Sequence, residues 1–473
     1  MKNAKPAIIL LFTILFFKTT FSQEKSPLIK GTINISIKNG TIACDFIMSD
    51  MPDIPYYVIR LNSGMNVHYF KDVKRSPEPL YYDMDKRDTL LADETAAYLM
   101  HENTGNPARY LPEQLEVKYL GMLPVVADSA SGYMGQDWRG NIAFNGYSIR
   151  ADGMQGAWYP ILYDMKKQHA YYEVRYDINV SCNDCSVLFV NGSAPVKAKT
   201  AHFVSDVPRD MAIYCGNFET TEVNNTWILN PDMPKNQQKE LLDVANSYKL
   251  WYQKALNIPF KGNLTFIQTA PTADPTKWAF SFQASPTTFT VSGSNKWGLG
   301  AMFNNDAGAR PKQTMAHELA HYYFGDYLHT NTAFGAIINE GFAEFLSFKL
   351  TKNLVGDAAY NELLTNKLNS LKYFKGKPLS VIKNTDDYGN REYYLYYYSV
   401  VVLTAIEKEI GEQAMWHWII TMLNTKTDFT DYNFFIKTFD VAITDKALNQ
   451  RIKDKYFTSD KALDNAREEL GVK

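Results

Sequence analysis

Cysteine is scarce in this chain: Cys44, Cys182, Cys185 and Cys215 are the four in 473 residues, too few for a disulfide scaffold. Three pairings are open to them. Cys182-Asn183-Asp184-Cys185 has the look of half a zinc knuckle, but no second close pair supplies the other two ligands. A local disulfide or unpaired thiols is the expectation there, not a metal. Neither sign of charge is in excess, with 49 Lys and Arg against 51 Asp and Glu. No global field then points to nucleic acid or to an acidic membrane surface. Glycine, proline and serine never gather into a long low-complexity tract, and no internal repeat marks a solenoid or propeller. Beyond the amino terminus no run approaches the roughly 18 consecutive apolar residues of a membrane span. Histidine is also rare, with eight in the chain.

What is present begins with residues 1–22. Lys2 and Lys5 precede an apolar run from Ala7 to Phe17, and Thr20-Phe21-Ser22 offers small residues for cleavage. This pattern is that of a secretory signal peptide. The run is shorter than the roughly 20 residues a spanning helix needs, so no stable membrane anchor is expected after cleavage. Secretion or a periplasmic location follows.

From about Ile29 to Phe218 short alternating stretches rich in Val, Ile and Tyr are broken by Asn-Gly, Pro and Asp clusters. Gly31 to Ile37, Tyr171 to Val180 and Ser186 to Val190 are examples. Turn signals at this spacing imply antiparallel strands in an all-β sandwich. After Pro231 and Pro234 the pattern changes, because Leu241, Leu242, Val244, Ala245, Tyr248, Leu250 and Trp251 recur at helical spacing within 237–256. Strands are expected at Leu264 to Gln268 and Thr287 to Val291. Helices are expected over 311–324, 332–353 and Leu395 to Ile410, the last stopped by Gly411. The division is a signal peptide at 1–22, a β-sandwich domain at 23–220, a mainly helical domain at 221–440 and a charged helical tail at 441–473, read as solvated.

His317-Glu318-Leu319-Ala320-His321 lies inside one of these helical stretches. Residues four apart share a helix face, so both imidazoles can reach one metal ion. Glu318 sits about 100° round the helix from His317, where its carboxylate can flank the ion and take a proton from bound water. A catalytic zinc has three protein ligands and an open position. Asn339-Glu340-Gly341-Phe342-Ala343 supplies the third, after enough chain to end one helix, turn and begin another. His329 fits the spacing of a third histidine less well.

These two motifs, HELAHYYFGD and NEGFAEF, resemble the gluzincin metallopeptidases of the aminopeptidase N and leukotriene-hydrolase family. Gly156-Ala157-Trp158-Tyr159-Pro160 is similar to a segment of that family's amino-terminal sandwich. The resemblance implies a thermolysin-like α/β catalytic domain, one catalytic Zn2+ on His317, His321 and Glu340, and Glu318 as general base. It implies a peptide substrate. The family's oxyanion tyrosine, carried over by its distance from Ile410-Gly411-Glu412, falls on Tyr396, among the tyrosines 393, 394, 397 and 398. Glu344, one turn after Glu340, could bond the outer nitrogen of a ligand histidine or remain a surface carboxylate.

One family feature is altered. A Gly-Ala-Met-Glu-Asn segment normally provides a glutamate for the substrate's free amine. Here Gly300-Ala301-Met302-Phe303-Asn304 carries Phe303 in its place, only 14 residues before His317. Placed instead on an edge strand just before Thr287, the glutamate position falls on Gln283. Either way the charged partner is absent, so an aminopeptidase-like enzyme with weakened amine recognition is expected. The alternatives are an endopeptidase of the same fold and a noncatalytic peptide-binding relic.

Overall fold

The computed structural model describes residues 26–75, 77–85, 95–103, 106–125, 142–223, 226–231, 233–261, 263–268, 281–284, 287–290, 299–303 and 308–471. The expected signal peptide lies outside them. Within the amino-terminal half, one six-stranded sheet runs in the order Thr200–Asp210, Glu173–Cys182, Leu28–Ser36, Thr41–Ser49, Leu115–Met122, Met65–Asp72. Leu28–Ser36 pairs with Glu173–Cys182 in parallel and with Thr41–Ser49 antiparallel. Burial along Thr41–Ser49 alternates residue by residue, sending Ile42, Cys44, Phe46 and Met48 inward, as the period of a half-buried strand requires. A second sheet contains Tyr57–Asn62 and Thr95–Asn103, and a smaller one contains Ser148–Ala151, Val187–Val190 and Ile213–Gly216. One apolar core collects Ile33 and Phe46, Ile59 and Tyr98, and Ile149 and Leu188 from the three. An amino-terminal β-sandwich therefore precedes a helical region.

Trp158 and Tyr159 are buried in that core. The indole Nε1 donates to Met211 O at 2.9 Å, and Tyr119 Oη donates to Trp158 O at 2.7 Å. Cys182 and Cys185 form a disulfide, while Cys44 and Cys215 are free and buried. The local bridge is thus one of the two outcomes the sequence left open.

The carboxy-terminal half opens with a mixed sheet ordered Thr220–Val223, Thr226–Leu229, Thr265–Gln268, Thr287–Thr290, Ser281–Ala284. Its three middle strands are parallel and its outer pairs antiparallel. Helix Lys235–Leu256 buries Leu241, Leu242, Ala245, Tyr248, Tyr252 and Leu256 on one stripe and ends at Asn257, whose φ is +54°. A small cluster of Val187, Phe189, Tyr214, Phe218, Leu229 and Ile267 joins this sheet to the sandwich.

Two expectations need correction. The first site helix ends at Ala320 rather than 324. Past it, Tyr323 N bonds Ala320 O at 2.9 Å and Phe324 N bonds the same carbonyl at 3.2 Å, a tightened turn that folds the chain back on His321. The final thirty residues are helical but not solvated. Ile452, Tyr456, Phe457, Leu463 and Ala466 are buried in the catalytic core, and Arg467 Nη2 donates to Leu371 O at 2.8 Å. Much of their charge faces outward while Lys453, Lys455 and Arg467 are largely covered, and composition alone hid the apolar stripe beneath.

Candidate metal centre

Helix Arg310–Ala320 begins with a proline in its first turn, where a missing N–H has no intrahelical partner to lose. Its last turn carries His317 and Glu318, both buried. The return loop passes Gly325 at φ +142°, where a Cβ would stand 3.0 Å from His321 O and 3.4 Å from Asn339 Oδ1. Only glycine suits that backbone and that approach. Thr332 caps the next helical segment by accepting from Gly335 N at 2.9 Å. After Ala333–Ala336 the helix widens into a π turn over Ile337–Gly341, then resumes as Phe342–Leu354. Glu340 sits in that π turn, a feature common at functional sites.

The two helices bring three acceptor atoms together. His317 Nε2 and His321 Nε2 are 3.0 Å apart, and Glu340 Oε2 lies 3.4 Å from the first and 3.3 Å from the second. Their other ring nitrogens are committed. His321 Nδ1 is 2.8 Å from Asn339 Oδ1 and 3.0 Å from the Phe324 carbonyl, which can only accept. His317 Nδ1 is 2.8 Å from Glu344 Oε2. The contacts of His321 Nδ1 favour a proton there, and Glu344 lies against His317 Nδ1, so both Nε2 atoms are left facing Glu340 Oε2, which is buried without a hydrogen-bond donor. Three such acceptor atoms repel one another unless a cation lies between them. A tetrahedral zinc with bonds of roughly 2.0–2.2 Å holds its ligand atoms about 3.3 Å apart, so the residues fit the ion.

The electrostatics agree. Burial works against the His317 cation, but the carboxylates of Glu340, Glu344 and Glu318 outweigh it and push its pKa up to about 10. His321 is raised in the same way against burial, mainly by Glu340. Burial would raise Glu340, yet the two histidines hold it well below the ordinary carboxylate range. This is a pocket whose field favours positive charge, and a metal ion competes there with protons.

Glu344 is buried rather than on the surface. Lys367 Nζ lies 2.6 Å from its Oε1, and Gln313 Nε2 donates to its Oε2 at 2.9 Å and to Ser347 Oγ at 2.7 Å. Against the opposing effect of burial, Lys367 and His317 bring its pKa down to about 2. Lys367 and Gln313 were not singled out from the sequence. Lys367 comes from helix Asp357–Ser370, far along the chain, and nothing in its neighbours marks it. Gln313 lies one turn before His317 on the same helix face, a spacing that could have flagged it.

The five tyrosines separate by contact. They form a second π segment, Tyr393–Tyr398, running into helix Ser399–Ile410. Tyr393 stacks on Phe374, Tyr394 Oη donates to Lys377 O at 2.7 Å, Tyr397 lies under Lys367 Nζ at 4.1 Å, and Tyr398 packs against Phe374 and Tyr394. Tyr396 has its ring centroid 5.7 Å from that of His317, and Glu340 and Glu318 act on its hydroxyl. Gln283 lies on Ser281–Ala284, the outer strand among the described residues, which neighbours the His317 helix. Leu299–Phe303 instead forms a 3-10 turn.

Residues 301–453 match the model of the peptidase family M1 domain. This segment is similar to that domain. The matched segment contains the histidine pair, Glu340 and Tyr396. Solved structures extend the likeness in fold to the sandwich. An M1 zinc metallopeptidase from Deinococcus radiodurans superposes with a TM-score of 0.58 at 12% identity, over 91% of this chain and 93% of that one. A mutant of that enzyme bound to a Tyr-Ser-Ala substrate gives 0.60 at the same identity and coverage. Yeast LTA4 hydrolase gives 0.62 at 13% identity, over 90% of this chain and 66% of that one. No curated protein matches the chain in sequence.

Proposed function

We propose that this protein is an exported zinc-dependent metallopeptidase, aminopeptidase-like but with weakened recognition of a free amine. The observation that carries the reading is the triangle of His317 Nε2, His321 Nε2 and Glu340 Oε2, with sides of 3.0, 3.3 and 3.4 Å. Zinc, when bound, supplies a Lewis acid that polarises a carbonyl and lowers the pKa of water. Glu318 is buried in the turn between the two histidines and ligates nothing in the triangle. It takes the proton of the attacking water and passes it towards the leaving amine. Tyr396, beside the His317 ring, donates its hydroxyl proton to the developing oxyanion. Its pKa is raised by burial first and by Glu340 second, so it stays protonated and able to donate.

Export rests on residues 1–22 and agrees with the Cys182–Cys185 disulfide, which suits an oxidising compartment. Weakened amine recognition rests on Gln283, neutral where relatives carry a glutamate. The test is peptide hydrolysis by the purified protein with its metal content measured, before and after chelation and zinc return. Activity that ignores chelation ends this reading. Comparing one peptide with free and acetylated amino termini then grades the amine: a ratio above ~10³ exceeds what one lost charge-assisted bond allows and would show amine recognition intact.

A further inference from the structure

Arg391 stands just before the π segment that carries Tyr396. Its Nη2 is 3.9 Å from Glu340 Oε1, the oxygen turned away from the two histidines, and its side chain is 55% exposed while that of Glu340 is 15% exposed. Among the described residues this is the guanidinium's one ion pair, and 3.9 Å is longer than a hydrogen bond. A guanidinium has five donors in a fork that matches a carboxylate. Arg391 lies five residues before Tyr396, in the helical turn that leads into the π segment. Arg391 is therefore a cation at the mouth of the metal centre, anchored at one edge and open to solvent.

The carboxyl carbon of the residue after the scissile bond is three bonds from the reacting carbonyl carbon, about 3.8 Å away when extended. An acidic side chain on that residue reaches a similar region. We propose that Arg391 is a specificity-determining residue that binds a substrate carboxylate immediately beyond the scissile bond, so that the site favours short peptides or acidic residues there. This deepens the peptidase reading above and rests on it. It also gives the neutral Gln283 a counterpart, because charge selection is moved from the substrate's amine to its carboxylate.

Three forms of one short peptide separate the sources: a free carboxyl terminus, the terminal amide, and the amide with glutamate after the scissile bond. Wild-type kcat/KM should favour the free acid over the amide by ~10–100-fold, the range of a charge-assisted bond. In Arg391→Gln that ratio should fall to within about threefold while metal content is unchanged, and Arg391→Lys should keep part of it. Recovery with the glutamate amide marks a side-chain carboxylate as a source; recovery only with the free acid marks the terminus. Equal wild-type rates on acid and amide, or a ratio that survives Arg391→Gln, overturn the proposal. If the metal-loaded protein cuts no peptide at all, the peptidase reading fails instead. Calorimetric binding of the dipeptide Leu-Leu against its terminal amide, in wild type and Arg391→Gln, then still decides the role of Arg391: tighter binding of the free acid that vanishes in the variant supports it, and equal binding overturns it.

Discussion

The sandwich and the metal centre handle regular structure in opposite ways. Strand Thr41–Ser49 keeps a strict two-residue alternation from end to end, and each inward side chain meets another apolar one. The helices around His317 break their period where the chemistry lies: one widens at Ile337–Gly341 to hold Glu340, the other at Tyr393–Tyr398 to hold Tyr396. A π turn costs helical regularity and leaves backbone groups less well paired, so it persists only where surrounding packing stabilises it. Here that support is the core of Phe342, Trp418, Phe435 and Phe439 behind the site. A third π turn, Lys453–Phe457, carries none of the candidate site residues, so a widened turn by itself marks no site.

The sharpest break in that contrast removes a ligand. His317→Ala or His321→Ala should abolish both bound zinc and hydrolysis, because two ligands hold the ion poorly. Glu318→Gln should retain the metal and lose at least ~10²-fold in kcat. Metal analysis beside kinetics decides between ligand and base, and loss of zinc in Glu318→Gln would refute the assigned roles.

Next, Tyr396→Phe should lower kcat by ~10²-fold with little change in KM, as for one oxyanion donor. Tyr394→Phe tests the other side of the comparison. Its hydroxyl serves Lys377 O, so it should cost about 1 kcal/mol in denaturant unfolding and leave kcat nearly unchanged. Equal kinetic losses in both variants would remove the case for Tyr396.

Lys367→Met leaves buried Glu344 with His317 as its one remaining cationic partner and should destabilise the metal-free protein by up to about 3 kcal/mol, the scale for breaking a buried pair. Adding Glu344→Gln should recover part of that loss. A double mutant no more stable than Lys367→Met would show the two side chains to be uncoupled.

The smallest effect is at the junction of the halves. His329 from the catalytic region lies 3.1 Å from Glu173 of the sandwich, with Tyr172 Oη 3.3 Å from its Nδ1. Burial lowers its pKa, but Glu173 and Asp326 more than compensate and lift it from 6.5 to about 8. A raised folded value means the stabilisation is full below about pH 6.5 and is lost as pH rises through 8. About a third of the His329 side chain is exposed, at 35%, so solvent screening keeps the contribution under ~1 kcal/mol. The difference in Tm between wild type and His329→Gln should shrink from pH 6 to pH 9. A constant difference would rule out the charged contact.

Much of this molecule was legible in one dimension, and for a physical reason. A two-residue or 3.6-residue period is a local property, so the change from strands to helix near residue 230 and the shared face of His317 and His321 need no tertiary information. Helix ends were less legible: the turn after Ala320 is set by His321 and Gly325 meeting Asn339 across the fold. The burial of the charged carboxy-terminal segment was hidden too, because its partner surface on helix Ser399–Ile410 lies about fifty residues away. The resemblance placed Tyr396 by its distance from Gly411, and its ring does lie beside His317; which side of the helix it takes was left to the fold, since π and α turns rotate residue 396 differently. The sequence by itself determined the two halves, the donor types and their spacing. Tertiary structure alone decided that Lys367 neutralises Glu344 and that Arg391 stands at the mouth, because both rest on approach between segments whose order in the chain carries no trace of distance in space.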